Sequence, residues 1–386
     1  MLEIPWVSGE FLTNQFLSLR SFQVELSTNF GRGRKLMNYF GHNFSRMLSA
    51  AVFAVAGLTA GANQSVAQEV TLSFHHFLPP LASAPKNVLV PWMEKVEAAS
   101  DGRIKFNHFP SMQLGGKPPE LYQQAVDGVA DIIWTLPGYT PGRFSRTEVF
   151  ELPFIMTDAV ATSRAYWRLA EETMLDQDFA DVKVLALWVH AAGVIHSKNP
   201  IRKIGDLNGV KLRAPTQVTN QMFSSLGATA VGMPVPAVPE ALSKGVIDAT
   251  VIPWEVTSAL KTSELVRNHT EFGDQALYTA TFVIAMNRQK YDSLPEDLKA
   301  ILDENSGLVF SEFAAREGVA ADAGPRAAAV EMGNTIYELT PAEVAEWKAA
   351  SEPTTGAWIK AMDSKGKDGT GLYARALELI AEETAK

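Results

Sequence analysis

The chain has 386 residues, 46% hydrophobic and 20% charged, which is enough for two domains with substantial cores and too apolar for a disordered polymer. Its formal net charge of −9 disfavours nucleic acid and anionic membrane surfaces as partners. It has no cysteine, which excludes disulfides, thiolate metal sites, cysteine nucleophiles and a lipidated N-terminal cysteine.

The first organised signal along the chain is a targeting one. Arg46 precedes the alanine-rich run Met47–Leu58, and the small-x-small site Ser65-Val66-Ala67 is followed by the polar pair Gln68-Glu69. A positive flank, a short apolar run and small residues before a polar pair predict a secretory signal peptide over 37–67, cut after Ala67. Residues 1–36 lie upstream of the natural start at Met37 and are expected to be an over-extended leader. Removing residues 1–67 leaves 29 basic against 40 acidic residues, a net charge of −11.

From Glu69 onward strand and helix signals alternate. Val70–Phe74 has strand alternation, and Lys86–Ala99 carries apolar residues at helical spacing closed by Ser100-Asp101-Gly102. Arg103–Phe109 predicts a strand, Glu120–Val126 a helix stopped at Gly128, and Ala130–Trp134 a buried strand. This β-α-β-α-β opening predicts a mostly parallel sheet flanked by helices. A second unit begins near Val184, with strands at Val184–Trp188, Val210–Arg213 and Val246–Ile252 and helices at Thr219–Leu226 and Pro239–Lys244. In both units a helix, a glycine and a hydrophobic residue lead to an aspartate, Asp131 or Asp248, that opens an apolar strand. Two α/β lobes with a groove between them follow. The tail from Pro295 is helical and amphipathic through Leu298, Ile301, Leu302, Trp347, Trp358 and Met362.

Several phrases carry a family resemblance. They are Phe109-Pro110-Ser111-Met112-Gln113-Leu114-Gly115-Gly116 with Gly128-Val129-Ala130-Asp131, then Phe150-Glu151-Leu152-Pro153-Phe154, then Gly209-Val210-Lys211-Leu212-Arg213-Ala214-Pro215 with Leu226-Gly227-Ala228. Glu240-Ala241-Leu242 with Gly245-Val246-Ile247-Asp248, and Asn287 with Tyr291-Asp292-Ser293-Leu294-Pro295, complete the series. In this order and spacing, from about residue 70 to the C-terminus, the chain resembles the solute-binding subunits of tripartite ATP-independent periplasmic (TRAP) transporters, the dicarboxylate-binding-protein-like family. The resemblance implies a two-lobe periplasmic binding protein fold with an interdomain ligand cleft, crossing strands and a long C-terminal helix. It also implies a periplasmic receptor that closes over one small organic acid and presents it to TRAP membrane permease subunits. Lobe I is expected at 68–190 plus 277–318 and lobe II at 191–276 plus 319–386. A periplasmic sensor that hands its ligand to a signalling receptor, and an enzyme on the same scaffold, are the alternatives.

Arg213 is the leading site residue. It ends a strand before Ala214-Pro215, where α/β proteins place ligands, and its planar fork matches a carboxylate. In the resembling family the arginine of this phrase clamps the ligand's carboxylate. Sugar-acid-binding relatives carry a second arginine where this chain reads Gly193-Val194-Ile195-His196, and many relatives carry an asparagine where it has Ile252. Those exchanges predict a ligand smaller or more hydrophobic than a polyhydroxylated acid, such as a hydroxy, keto or aromatic monocarboxylate, or a zwitterion. Trp134 and Trp254 each follow a buried strand and are candidates to stack on it. His76, ending the first strand, is a candidate hydrogen-bonding group, and Phe77, Tyr139, Thr216 and Val235 complete the expected set. Glu151 and Asp131 read as structural. No nucleophile elbow, phosphate loop, zinc-protease or dinucleotide motif occurs, so neither catalysis, cofactor nor metal is expected, and the protein is expected to act as a monomer.

Overall fold

The computed structural model describes residues 69–386, so the predicted leader and signal peptide lie outside the described residues. Two sheets organise them. The first contains β1 (Val70–His76), β2 (Ile104–Phe109), β3 (Ile132–Thr135), β4 (Val182–Val189) and, from much later in the chain, β10 (Thr281–Asn287), in the spatial order β2-β1-β3-β10-β4. The second contains β5 (Val194–Ser197), β6 (Lys211–Ala214), β7 (Thr229–Gly232), β8 (Ala249–Ile252), β9 (Asn268–Glu271) and β11 (Thr335–Glu338), in the order β11-β9-β5-β8-β6-β7.

The opening strands pair as predicted, with β1 parallel to both β2 and β3. The strand of this first sheet absent from the sequence reading is β10, which inserts antiparallel between β3 and β4. It runs that way because the chain returns to the first sheet from the second. Its buried run Thr281–Asn287 is apolar enough to occupy the sheet centre.

Asp131 and Asp248 do the same structural work in the two sheets. Asp131 accepts hydrogen bonds at 2.8 Å from both the backbone and the hydroxyl of Ser73, tying β3 to β1. Asp248 accepts from the Lys211 backbone at 3.3 Å and donates its own N–H to the Lys211 carbonyl, tying β8 to β6. Each carboxylate satisfies polar groups where a buried strand begins.

Two segments cross between the sheets. Residues 190–193 join β4 to β5, and residues 272–280 join β9 to β10. They hydrogen-bond to one another: Gly193 N–H donates to the Tyr278 carbonyl at 3.1 Å, and His190 N–H to the Ala280 carbonyl at 3.3 Å. Helices add further links. Leu308–Ala320 packs on the helix Ala159–Thr173 of the first layer, and its successor Ala323–Glu331 packs on Trp254–Leu260 of the second. The long helix Pro341–Ser364 opens with a Thr340–Glu343 capping box and packs on Gln217–Ser225, while its Trp358 indole donates to Glu148 at 2.9 Å.

The last helix, Gly369–Thr384, packs on Pro341–Ser364 and lies along Ala159–Thr173 of the first layer. Arg164 and Arg168 hold the buried Glu383 carboxylate at 2.9 and 2.6 Å. Charge pairing at a half-buried helix seam, which hydropathy does not register, fixes that placement.

Candidate functional site

Between the two sheets lies a cavity with about 40 Å³ of space for the centre of a water molecule. One water needs about 10–15 Å³ on that measure, so the space suits one small molecule and not a polymer. The first layer contributes Phe77, Leu78, Trp134, Leu136 and Tyr139, and the second contributes Arg213, Pro215, Val235, Ile252, Pro253, Glu255 and Val256. The crossing segments and the start of β10 supply His190, Tyr278, Ala280 and Phe282.

Arg213 is the cation of this cavity, on the interior strand β6 between β7 and β8. It is 1% exposed. Its Nε donates to the Met233 carbonyl at 2.9 Å and its Nη1 to the Val251 carbonyl at 3.2 Å. Neither partner is a carboxylate, and Nη2 is buried with no hydrogen-bond partner among the described residues. Two backbone carbonyls thus aim the fork and leave one edge for an anion. Tyr139 stands beside it. Burial raises the Tyr139 phenol above its ordinary value, and the Arg213 charge, the Val235 N–H and the close approach of its hydroxyl to the Arg213 side chain pull it partly back. The Tyr139 hydroxyl accepts a 2.9 Å hydrogen bond from the Val235 N–H, joining the two layers across the cavity mouth.

The walls are aromatic. Trp134 stacks on Phe77 with centroids 4.8 Å apart and lies nearly parallel to Trp188 at 6.1 Å, with Phe282 at 5.3 Å. Apolar walls exclude water and strengthen every electrostatic contact inside.

Five of the eight expected residues therefore come together: Arg213, Trp134, Phe77, Tyr139 and Val235. Three do not. Trp254 opens the helix Trp254–Leu260 because Pro253 ends β8, and its indole turns back onto the second sheet, donating to Glu271 at 2.7 Å and packing against His196 and His269. His76 ends β1 beside its register partner Trp134, whose ring it meets at 5.8 Å, but does not line the cavity. It pairs with His108 at 2.6 Å and meets Phe74 edge-on. Thr216 caps the helix Gln217–Ser225 by accepting from Thr219, and it sits against Gly138 of the first layer, not in the cavity. A β-carbon on Gly138 would come within 2.4 Å of the Thr216 methyl, so glycine lets the two layers meet there.

The model of bacterial extracellular solute-binding protein, family 7, matches residues 74–361. The chain belongs to this family. A TRAP solute-binding protein from Rhodoferax ferrireducens T118, crystallised with copurified benzoate, is 50% identical over 82% of this chain and 99% of its own, with a TM-score of 0.81. A TRAP solute-binding protein from an unidentified marine microbe, described as specific for aromatic acids and co-crystallised with 3-hydroxybenzoate, is 46% identical over 82% of this chain and 99% of its own, with a TM-score of 0.80. The C4-dicarboxylate-binding periplasmic protein of Rhodobacter capsulatus is 26% identical over 80% of this chain and 92% of its own.

Two polar residues of this family 7 site escaped the sequence reading. His190 follows the buried strand β4, and Glu255 stands inside the apolar stretch Val251–Val256. A lone polar residue at the end of a buried strand was the available signal for each. Burial lowers the His190 imidazole to about 4, and the Arg213 charge acts in the same direction. Burial raises Glu255 to about 8, with the neighbouring Asp322 carboxylate adding to it. Burial likewise raises Glu151 and Asp322 to about 7 each.

These shifts set a pH dependence of folding. Between the ordinary carboxyl value of 4.5 and about 8, folded Glu255 keeps a proton that the unfolded chain has released, so stability falls as pH rises. Buried His190 acts oppositely between about 4 and 6.5, where the unfolded chain binds the extra proton. Above 6.5 only the carboxyls remain. We expect the melting temperature of the unliganded protein to fall from pH 6.5 to about 8, and Glu255→Gln to flatten that fall. Melting curves across the range check it, and an identical slope in the variant would contradict it.

Proposed function

We propose that this family 7 protein is the periplasmic receptor of a TRAP-type transporter and that it captures a small aromatic monocarboxylate. Arg213 grips the carboxylate, the ring lies among Phe77, Trp134, Tyr278 and Phe282, and two lobes built on the two sheets close over it. The observation that carries this reading is the buried Arg213 guanidinium, whose Nη2 has no hydrogen-bond partner beside an aromatic-walled cavity. A carboxylate there would give that donor a charge-assisted partner in a water-poor space. Isosteric contacts to sugar hydroxyls are missing where Ile252 and Val256 face the cavity, which favours a ring over a polyol. The two relatives near half identity, crystallised with benzoate and with 3-hydroxybenzoate, support the same class.

Closure follows from a ligand that touches both layers, because only a difference in affinity between open and closed forms shifts that equilibrium. Micromolar capture needs a net of about 8 kcal/mol. Isothermal titration of the mature chain against benzoate, succinate and ectoine tests the class. We expect benzoate to bind at micromolar concentration or tighter and the other two to bind at least tenfold more weakly, on the order of 1.4 kcal/mol. Succinate binding more tightly than benzoate would overturn the reading.

A further inference from the structure

Beside the cavity, sharing its His190 and Glu255 wall, lies a smaller chamber of about 20 Å³, lined further by Ser83, Trp188, Ala314 and the half-buried carboxylate Glu317. Trp134, His190, Glu255 and Phe282 face both spaces, whereas Arg213 and Tyr139 face only the first. A ring held by its carboxylate at Arg213 and reaching inward therefore meets two polar groups that the carboxylate contact does not use.

Their chemistry is complementary. His190 Nδ1 lies 2.5 Å from the Ala191 carbonyl, which can only accept, so Nδ1 carries the proton and Nε2 is left as an acceptor. Glu255 Oε2 accepts from the Ser83 hydroxyl, a contact that also joins the two layers. Asp322 accepts from the Glu255 N–H at 2.7 Å, so the charged neighbour of Glu255 is a like one. We propose that this receptor selects aromatic acids bearing a ring hydroxyl, with His190 and Glu255 reading the hydroxyl while Arg213 holds the carboxylate.

A plain ring would offer no partner to His190 Nε2 or to the Glu255 oxygen that Ser83 does not engage, and polar groups facing hydrocarbon without a partner are costly. A hydroxyl donates to the imidazole and accepts from the carboxyl, which burial keeps largely protonated at neutral pH. The fold does not make this choice, since relatives of comparable identity hold benzoate and 3-hydroxybenzoate. Side chains at this end of the cavity do.

The inference rests on the aromatic-acid reading above, and one set of titrations separates the two. Wild-type protein is titrated with benzoate, 3-hydroxybenzoate and 4-hydroxybenzoate. We expect at least one hydroxy isomer to bind about tenfold or more tightly than benzoate. In His190→Phe and Glu255→Leu that ratio should fall to within about threefold of one, whatever happens to benzoate itself, and Glu255→Gln, which still donates and accepts, should keep most of it. Equal binding of all three acids by wild type overturns the proposal while leaving the aromatic-acid reading intact, and so does a preference that survives in both His190→Phe and Glu255→Leu. Failure of all three acids to bind wild type overturns both. The wild-type ratio decides even if a variant does not fold.

Discussion

Replacing Arg213 with alanine should abolish ligand-induced thermal stabilisation and weaken benzoate binding by roughly 30- to 5,000-fold, the equivalent of about 2–5 kcal/mol. The size of the effect comes from what the substitution leaves behind. Without the guanidinium a carboxylate would enter an aromatic cavity with no opposite charge to receive it, and it would forfeit its hydration for nothing. Arg213→Lys should restore only part of the loss. An ammonium is a point charge, and it cannot hold the Met233 and Val251 carbonyls while presenting a planar edge to the ligand. Calorimetry with benzoate checks both variants, and wild-type affinity in Arg213→Ala would remove the assigned clamp.

Among the described glycines, Gly193 is the one where an added methyl should do the most damage. A β-carbon built on Gly193 falls 1.9 Å from Cε1 and 2.3 Å from Cδ1 of Tyr278, inside any tolerable separation. The ring cannot swing away cheaply, because Tyr278 is buried between the crossing segments, edge-on to His190 at 5.2 Å, and lines the cavity. Overpacking of this kind costs about 1–3 kcal/mol, occasionally more. Here it also pulls apart the Gly193–Tyr278 backbone hydrogen bond that ties the two crossings. We expect a melting temperature lower by a few degrees, about 1–2 °C per kcal/mol for a chain of this size, together with weakened benzoate binding. A variant as stable as wild type would show that the two segments move apart more readily than their packing implies.

How much was legible beforehand depended on the range over which each signal acts. The strands β1, β2, β3 and β8 and the helix Val90–Ala99 announce themselves by local alternation, helical spacing and stop residues, which neighbouring positions decide. The strands β7, β9 and β11 are four residues each and partly exposed, so unlike the equally short but fully buried β3 and β8 they show neither a period nor an apolar run. Arg213 was found because it stands at a strand end ahead of a proline. Trp254 was misplaced because Pro253 converts a strand continuation into a helix start, which rotates the next side chains and gives Glu255 the cavity. His76 was misplaced because its ring packs on Trp134 and pairs with His108, which leaves the cavity wall to Trp134 and Phe77. His190 became visible only once the crossing segments were laid side by side, since its neighbours Tyr278 and Phe282 are some ninety positions away.

The cavity floor consists of the same two segments that join the layers, bonded to each other through Gly193 and His190. On the closure proposed above, a molecule seated there would press on both layers and on the segments that join them. Its bulk, as well as its charge, would then set how far the layers approach. A substituent too large for the space past His190 would hold them ajar, bound by its acid end but not enclosed.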